Sequence, residues 1–550
     1  MPHSITLSDL SWSTPDGQPL FSNINLRFCL ERVGLVGRNG VGKTTLLKLI
    51  AGELSPSTGT VSVSGRIGIL RQSVQVGDDE TIADLFEARH ALQILSRAQA
   101  GIATLDELGD VDWMLEEKIA GALAEVGLDA SPATLLSALS GGQRTRAALA
   151  AQIHTAPDFL ILDEPTNNLD RDGRMFVADF LAAWRGGAIV VSHDRELLET
   201  LDAIVEMTTL GATRYGGNWS HYRAQKVLER AAAEQDLSSA EKRLSEVRRK
   251  SQEMVERKAR RDAKGAAKAA KGDMPRIVTG GMKRRAEKTS GDNANLASRL
   301  KAEATDDLRT ARERIEILQE VTVTLPPSGL HATKTVLSLQ KLTAGYSADR
   351  PVLADLSFEI TGPQRVAVTG PNGSGKTTLL SVITGDLPPF AGRFHLGVKT
   401  AFLDQQVSLL DARLSIRENF LKLNPQSGEN ACRAALARFM FRADAALQNV
   451  GTLSGGQMLR AGLACVLGGP QPPQLLILDE PANHLDIDSI AAVEAGLSAY
   501  DGALLVVSHD EAFLTSIGID RRLKLGVLRG AGGDLSGCAS FNSGAAQRRR

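Results

Sequence analysis

The 550-residue sequence predicts an α/β fold in which two copies of one domain, each with a mostly parallel sheet core, are joined by a long helical hairpin. Two observations predict the duplication. A glycine-rich loop occurs at residues 37–44 and again at 370–377, and the motifs after each loop follow in the same order. A third observation predicts the hairpin, because residues 223–260 are rich in Ala, Glu, Lys and Arg and contain no Pro or Gly.

The repeat has a measurable register. The loop lysines, Lys43 and Lys376, are 333 residues apart. The serines Ser140 and Ser454 are only 314 apart, so the first copy carries 19 extra residues, which we place around residues 86–120. We expect domain 1 at residues 1–222, a linker at 223–333, domain 2 at 334–530 and a disordered Gly/Ser/Ala-rich tail at 531–550.

Short apolar runs without alternation predict the buried strands of a parallel sheet. They occupy residues 32–36, 159–162 and 188–191 in the first copy and residues 365–369, 475–478 and 503–507 in the second. Because helical segments follow these runs, we expect each sheet to be flanked by helices.

The linker predicts two helices with a loop between them. The first covers 223–260, glycines at 265, 272, 280 and 281 and Pro275 then break the pattern, and a second helical run covers about 294–320. Residues 241–290 hold 17 Lys and Arg against 7 Asp and Glu, although the whole chain has a net charge of −1. Such a segment suits a nucleic acid, and a solvated charged helix is the alternative.

Composition limits the class of protein. The four cysteines are scattered without a CxxC pair, which fits a reducing compartment and argues against a disulfide framework or a zinc site. No run of 18 apolar residues and no signal peptide are visible in the sequence. We therefore expect a cytoplasmic protein with no transmembrane domain on the chain.

Each glycine-rich loop stands between an apolar strand and a helix, the context of a phosphate-binding loop. Its backbone N–H groups surround phosphates at a helix N-terminus, its lysine reaches the β- and γ-phosphates, and its threonine hydroxyl binds Mg²⁺. The predicted ATP-binding residues are Gly37, Arg38, Asn39, Gly40, Val41, Gly42, Lys43, Thr44 and Thr45, and Gly370, Pro371, Asn372, Gly373, Ser374, Gly375, Lys376, Thr377 and Thr378.

Acidic pairs end later strands in both copies. Asp163 and Asp479 are placed to help hold Mg²⁺, and the adjacent Glu164 and Glu480 to accept a proton from the attacking water or orient it. A helix N-cap is the alternative for these pairs.

Two further polar residues recur in register. His193 and His509 follow the next strand and are predicted to contact the γ-phosphate, with a structural role as the alternative. Gln72 and Gln405 lie 29 residues after the loop lysines and are predicted to touch the metal or the water, with a surface glutamine as the alternative.

These motifs, with Leu-Ser-Gly-Gly-Gln at 139–143 and 453–457, resemble the ATP-binding cassette family over residues 5–222 and 334–530. The resemblance implies that the two domains of this chain pair head to tail, so that the signature of one closes over the nucleotide of the other. Ser454 and Gly456 would then complete site one around Lys43, and Ser140 and Gly142 would complete site two around Lys376. The family often stacks an aromatic residue on adenine, a role implied for Trp12 and Tyr346, with core packing as the alternative.

Fusion of two cassettes, the basic helical linker, Asn483-His484-Leu485-Asp486 and the segment 215–222 resemble the ABC-F branch. Asn168 and Ala482 depart from the usual residues of its motif. The resemblance implies that the linker binds rRNA and tRNA of the ribosome through residues 241–290, to modulate translation or to protect against ribosome-targeting antibiotics. An ATPase component of a membrane transporter and a DNA-associated ATPase are the alternatives. Candidate RNA contacts are Lys258, Arg260, Arg261, Lys264, Lys283, Arg284 and Arg285.

Overall fold

A computed structural model describes residues 3–70, 79–109, 112–209, 211–269, 298–311, 324–483, 485–526 and 539–543. The chain divides into two compact units, one formed by Met1–Ser220 with Val321–Arg550 and the other by His221–Glu320. The first unit contains both copies of the repeated domain, which we call domain 1 and domain 2. The second unit begins two residues before the predicted linker and otherwise lies within it.

A six-stranded sheet forms the centre of each domain. The predicted apolar runs all lie in these sheets, and their strands pair in parallel because both faces are covered. In domain 1 the order is β5-β6-β7-β3-β8-β9, with β3 (Arg32–Gly37), β5 (Ile67–Leu70), β6 (Phe159–Asp163), β7 (Gly187–Val191), β8 (Ala203–Thr208) and β9 (Gly211–Gly216). In domain 2 it is β14-β15-β16-β12-β17-β18, with β12 (Arg365–Thr369), β14 (Thr400–Leu403), β15 (Leu475–Asp479), β16 (Ala503–Val507), β17 (Arg521–Leu525) and β18 (Ala539–Ser543).

A three-stranded antiparallel sheet, which the apolar runs do not predict, packs beside each central sheet. These sheets are formed by β1 (Ser4–Ser13), β2 (Pro19–Phe28) and β4 (Thr58–Ser64), and by β10 (Thr335–Ala344), β11 (Leu353–Thr361) and β13 (Ala391–Leu396). In domain 1, Ile5 and Phe28 from this sheet share a buried cluster with Phe159 and Ile189 of the central one. The shared core fixes the loop after β3 against β2.

Helices cover the sheets; in domain 1 some of them share a separate buried cluster, whereas in domain 2 the corresponding helices share one cluster with the central strands. They are α1 (Lys43–Ile50), α2 (Ile82–Leu85), α3 (Arg89–Gln99), α4 (Leu105–Gly109), α5 (Leu115–Glu125), α6 (Gly141–His154), α7 (Arg171–Ala183), α8 (Arg195–Glu199), α9 (Trp219–Ala269), α10 (298–311), α11 (Lys376–Thr384), α12 (Ile416–Leu423), α13 (Glu429–Arg438), α14 (Gly455–Leu467), α15 (Ile487–Ala499) and α16 (Glu511–Ser516). Single 3₁₀ turns occur at Leu136–Ala138, Ala443–Leu447 and Val450–Thr452. Domain 2 has α12 and α13 where domain 1 has α2 and α5, so the 19-residue insertion supplies α3 and α4.

The linker is a pair of packed helices over its described part. Ala240 and Leu244 of α9 bury against Ala304, Leu308 and Ala311 of α10. The Arg243 guanidinium donates to the Asp307 carboxylate at 2.6 Å on the rim of this contact. Packing of this kind stabilises long helices that would be marginal alone.

Two expectations about element ends are wrong. The helix predicted for 223–260 runs from Trp219 to Ala269 and passes through Gly265, because the alanines and lysines around that glycine favour the helix by more than the roughly 1 kcal/mol that glycine costs. The tail predicted as disordered contributes β18, which pairs antiparallel with β17 as β9 pairs with β8 in domain 1. Backbone hydrogen bonds along the edge of β17 favour that pairing despite the tail's composition.

The remaining predicted linker and tail positions, 270–297, 312–323, 527–538 and 544–550, lie outside the described residues. Among the described residues, no helix combines the length and the apolar character that crossing a membrane requires.

Candidate functional site

The first phosphate loop turns from β3 into α1 around a buried lysine. Gly42 has φ +104° at the N-cap of α1, a conformation that favours glycine, and a Cβ there would meet Leu20 at 2.8 Å. The Lys43 ammonium donates to the carbonyls of Gly37 and Arg38 at 2.6 and 3.1 Å. The loop lines a cavity of about 370 Å³, which is large enough for the phosphate chain of a nucleotide.

Thr44 and Asp163 meet at the floor of this cavity. The threonine hydroxyl donates to Oδ2 of Asp163 at 2.9 Å, and burial raises the pKa of that carboxyl. Hydroxyl and carboxylate oxygens are the ligands Mg²⁺ prefers, and it usually completes its shell with water and phosphate. The described residues contain no cluster of three His, Cys, Asp or Glu that would bind a metal without a phosphate. The donor set therefore fits a nucleotide-bound Mg²⁺.

Glu164 has a strained backbone that directs it into the cavity. Its φ is +50°, a conformation uncommon for residues other than glycine, and its N–H donates to the Val191 carbonyl of the next strand at 2.9 Å. Strain of this kind clusters at functional sites. Burial raises the pKa of Glu164 to about 8, against the charge of Lys43. A carboxyl with a pKa near neutrality is suited to accept a proton at that pH.

His193 faces Glu164 without forming an ion pair. Its Nε2 lies 3.1 Å from Oε1 of Glu164, but burial raises the glutamate pKa and lowers the histidine pKa to about 3, so both charges are disfavoured. Neither ring nitrogen has a hydrogen-bond partner among the described residues. Buried polar atoms are normally paired, and His193 lines the cavity beside Lys43, so its ring is available to a ligand bound there.

Domain 2 repeats the lysine, glutamate and histidine geometry, but among the described residues no hydrogen bond joins Thr377, which is exposed, to Asp479. The Lys376 ammonium donates to the carbonyls of Gly370 and Pro371 at 2.8 and 3.1 Å. Glu480 has φ +47°, and its carboxylate lies 3.4 Å from Nε2 of His509. Burial raises the pKa of Glu480 to about 7 and lowers that of His509 to about 4.

The signature serines begin helices. Ser140 and Ser454 are the N-caps of α6 and α14, and each forms a capping box with the glutamine three residues on. A Cβ on Gly456 would meet Ser489 of α15 at 2.6 Å, and one on Gly142 would lie 3.8 Å from Gly173 of α7. Each signature helix is therefore packed against the first turn of the helix that follows its own acidic strand.

Acidic residues at the N-termini of α15 and α7 contact the other domain. The Asn39 N–H of the first phosphate loop donates to Asp486 at 2.8 Å, and the Arg38 guanidinium donates to Asp488 at 2.8 Å. The corresponding contact of the second phosphate loop is longer: the Asn372 N–H lies 3.4 Å from Asp170 of domain 1. Among the described residues no hydrogen bond joins a signature serine directly to the opposite phosphate loop, so the aspartates at these helix N-termini make the observed connection to that loop.

The predicted glutamines, aromatic residues and RNA contacts differ in where the structure places them. Gln72 lies outside the described residues, whereas Gln405 is exposed on the turn after β14, the strand beside Asp479. Trp12 is half-buried against the core of domain 1, and Tyr346 is 75% exposed. Of the candidate RNA contacts, Arg260 and Lys264 are exposed on α9; the side chains of Lys258 and Arg261, and residues 283–285 entirely, lie outside the described part.

The sequence motifs do not predict several residues of the site. Leu20, Asn167 and Val191 line the cavity of domain 1, and Leu20 comes from the antiparallel sheet. In the sequence, Asp486 is only the last residue of the 483–486 motif, and its contact joins it to Asn39, 447 residues away. No local sequence signal reports such a contact.

Comparisons with known proteins agree with this geometry. The family model described as ABC transporter matches residues 22–167 and 353–483. The chain is 32% identical over 541 residues to the tylosin resistance ATP-binding protein TlrC of Streptomyces fradiae, covering 91% of this chain and 94% of that protein. It is 30% identical to the energy-dependent translational throttle protein EttA of Mycobacterium tuberculosis, covering 88% and 84%. An archaeal ribosome recycling factor, aABCE1, solved with the stalk protein aP1, superposes with a TM-score of 0.54 at 18% identity, covering 94% and 87%, and has the same fold.

Proposed function

The chain belongs to the ABC-F branch of the ATP-binding cassette family and is an ATPase, and from this premise we propose that it acts on the ribosome in the cytoplasm. The observation that carries the proposal is its similarity over 91% of its length to a protein named for tylosin resistance. Similarity to a translational throttle protein supports the same target. Modulation of translation and protection from a ribosome-targeting antibiotic are the two forms this action would take.

The proposed use of ATP follows from the two sets of site residues. Lys43 and Lys376 bind the β- and γ-phosphates, and backbone N–H groups of the loops surround them. Glu164 and Glu480 orient water and accept its proton, while the neutral rings of His193 and His509 hydrogen-bond to the γ-phosphate. Their unpaired nitrogens are the support for that last role.

We assign Mg²⁺ to Thr44 with Asp163 and to Thr377 with Asp479, with Gln72 and Gln405 as the further ligands predicted from spacing. When bound, the ion neutralises charge on the phosphates. Its fit is supported by the 2.9 Å contact between Thr44 and Asp163. The residues of the chain position the ion, and the glutamates remain the proton acceptors.

Pairing of the domains couples the sites. Asp486 and Asp488 of domain 2 contact the first phosphate loop, so a nucleotide that rearranges this loop also moves the opposite domain. We propose that ATP closes Ser454 and Gly456 over site one and Ser140 and Gly142 over site two. Hydrolysis then reopens the pair, as in other enzymes gated by conformational steps.

The linker supplies the proposed contact with RNA. Its segment 241–290 carries a net excess of positive residues, and phosphate neutralisation by Lys and Arg dominates affinity for nucleic acid. Arg260 and Lys264 are exposed on α9, which supports their availability to a partner. The ribosome offers rRNA and tRNA as that partner.

The test is co-sedimentation of the intact chain carrying Glu164→Gln and Glu480→Gln with purified ribosomes. With ATP, the variant is expected to pellet with ribosomes because it binds but does not hydrolyse; without nucleotide it should remain largely in the supernatant. RNase should abolish pelleting and DNase should not. The matched control, Glu117→Gln with Glu125→Gln on exposed α5 positions, removes the same charge and should not trap the complex.

A variant that stays in the supernatant with ATP contradicts the proposal. Association with membranes would favour a transport role, and loss of binding on DNase treatment would favour a DNA-associated one. Both outcomes are separable from failure to bind ATP, which equilibrium binding of labelled ATP measures directly.

A further inference from the structure

The two sites differ at one buried arginine. Arg174 lies in the first turn of α7 in domain 1, with its side chain only 12% exposed. Its guanidinium extends into the boundary with domain 2, where one nitrogen lies 3.4 Å from Oδ1 of Asn483. Another lies 3.5 Å from the carboxylate of Asp194, in its own domain.

Asn483 belongs to the turn that holds Glu480. The Asn483 N–H donates to the Glu480 carbonyl at 3.2 Å, which closes the turn around the strained glutamate. Arg174 therefore contacts, from the other domain, the side chain of a residue in the turn that directs Glu480 into site two. Its positive charge also acts on both Glu480 and His509, although burial has the larger effect on the pKa of each.

Site one has the same turn without the arginine. Its Asn167 N–H donates to the Glu164 carbonyl at 3.2 Å. The offset between Glu164 and Glu480 is 316 residues, so the residue of domain 2 that corresponds to Arg174 is Ile490. Ile490 is 1% exposed and packs in the apolar core of domain 2. Its side chain brings no charge and no hydrogen-bond donor toward Glu164.

We propose that Arg174 is a positioning residue that domain 1 supplies to site two alone, where it fixes the Glu480 turn across the domain boundary and adds positive charge beside the γ-phosphate. This inference rests on the roles proposed above for Glu164 and Glu480. A fixed cation in a water-poor site stabilises charge that develops during phosphoryl transfer more than it would in water. Hydrolysis in site two therefore depends on Arg174, and hydrolysis in site one does not.

The test separates the sites by single-turnover hydrolysis of labelled ATP. Glu164→Gln leaves site two as the hydrolysing site, and Glu480→Gln leaves site one. In the Glu164→Gln background, Arg174→Met should lower the hydrolysis rate about tenfold or more, with the ATP concentration at half-maximal rate changed less than about threefold. In the Glu480→Gln background the same substitution should change the rate less than about twofold. Arg174→Lys should restore part of the loss.

Arg171→Gln is the matched control. Arg171 also makes an ion pair across the boundary, with Glu511 at 2.7 Å, but it is exposed and contacts neither Asn483 nor Glu480 among the described residues. We expect Arg171→Gln to change the hydrolysis rate less than about twofold in both backgrounds. Asn483→Ala removes the side-chain oxygen that faces the Arg174 guanidinium and should reproduce part of the loss of hydrolysis rate in site two. This variant keeps the inference testable if Arg174→Met does not fold.

Equal losses in both backgrounds would identify a structural role at the boundary and overturn the inference, as would no loss in either. Failure of the proposed function has a different signature. If Glu164→Gln and Glu480→Gln each leave hydrolysis at the unsubstituted rate, the assignment of the glutamates is wrong before Arg174 is tested.

Discussion

Replacing Asp486 with alanine removes two hydrogen bonds, one that caps a helix of domain 2 and one that joins the two domains. Its carboxylate accepts from the Ser489 N–H at 2.8 Å as the N-cap of α15, and from the Asn39 N–H of the first phosphate loop at 2.8 Å. Loss of an N-cap costs about 1 kcal/mol. A hydrogen bond to a charged group contributes about 1.5–3 kcal/mol, and here that bond joins the two domains at site one.

We therefore expect Asp486→Ala to lower the stability of domain 2 by about 1 kcal/mol and to slow hydrolysis in site one by about tenfold or more, since about 1.4 kcal/mol corresponds to a factor of ten. Asp486→Ser preserves the cap but has a shorter, uncharged side chain, so it should retain stability and still slow hydrolysis. Thermal unfolding and single-turnover hydrolysis in the Glu480→Gln background measure the two effects separately.

The equivalent substitution in domain 1 gives the comparison. Asp170 also caps its helix, accepting from the Gly173 N–H at 3.1 Å, but its contact with the Asn372 N–H is 3.4 Å long. Asp170→Ala should destabilise its helix by a similar amount. It should slow hydrolysis in site two less than Asp486→Ala slows hydrolysis in site one. A site-one rate unchanged by both substitutions of Asp486 would refute the coupling described here.

Three further substitutions test other parts of the structure. Lys43→Ala should weaken binding of labelled ATP at site one at least about tenfold, because the ammonium is the central cation of the loop; unchanged stoichiometry and affinity in equilibrium dialysis would contradict this. Leu308→Ala should destabilise the α9–α10 contact by about 2–3 kcal/mol, seen as faster hydrogen exchange in both helices, whereas Leu300→Ala, at a position 41% exposed, should have little effect. Gly265→Ala should stabilise the helix near the end of α9 by about 1 kcal/mol and therefore slow hydrogen exchange there, and faster exchange would show that the helix does not pass through this position.

Local sequence predicts the repeated parts of this chain well. The apolar runs 159–162 and 475–478 lie in buried parallel strands, and helices α1 and α11 follow the phosphate loops as predicted. These features are local because strand burial and helix capping depend on neighbouring residues. The phosphate loops are local for the same reason.

The features that local sequence fails to predict depend on distant partners. β18 forms because the edge of β17 is available for pairing, although its own composition favours disorder. The left-handed backbone of Glu164 is imposed by a hydrogen bond to the next strand. Arg174 and Asp486 acquire their roles only when the domains pair, so their importance follows from residues more than 300 positions away.

The most direct test of the central claim is a structure of the Glu164→Gln and Glu480→Gln variant bound to the ribosome with ATP. We predict one nucleotide at each phosphate loop, covered by the signature serine of the opposite domain, and the linker segment 241–290 against rRNA or tRNA. Nucleotides that contact a single domain, or a linker pointing away from RNA while the chain binds elsewhere, would contradict it.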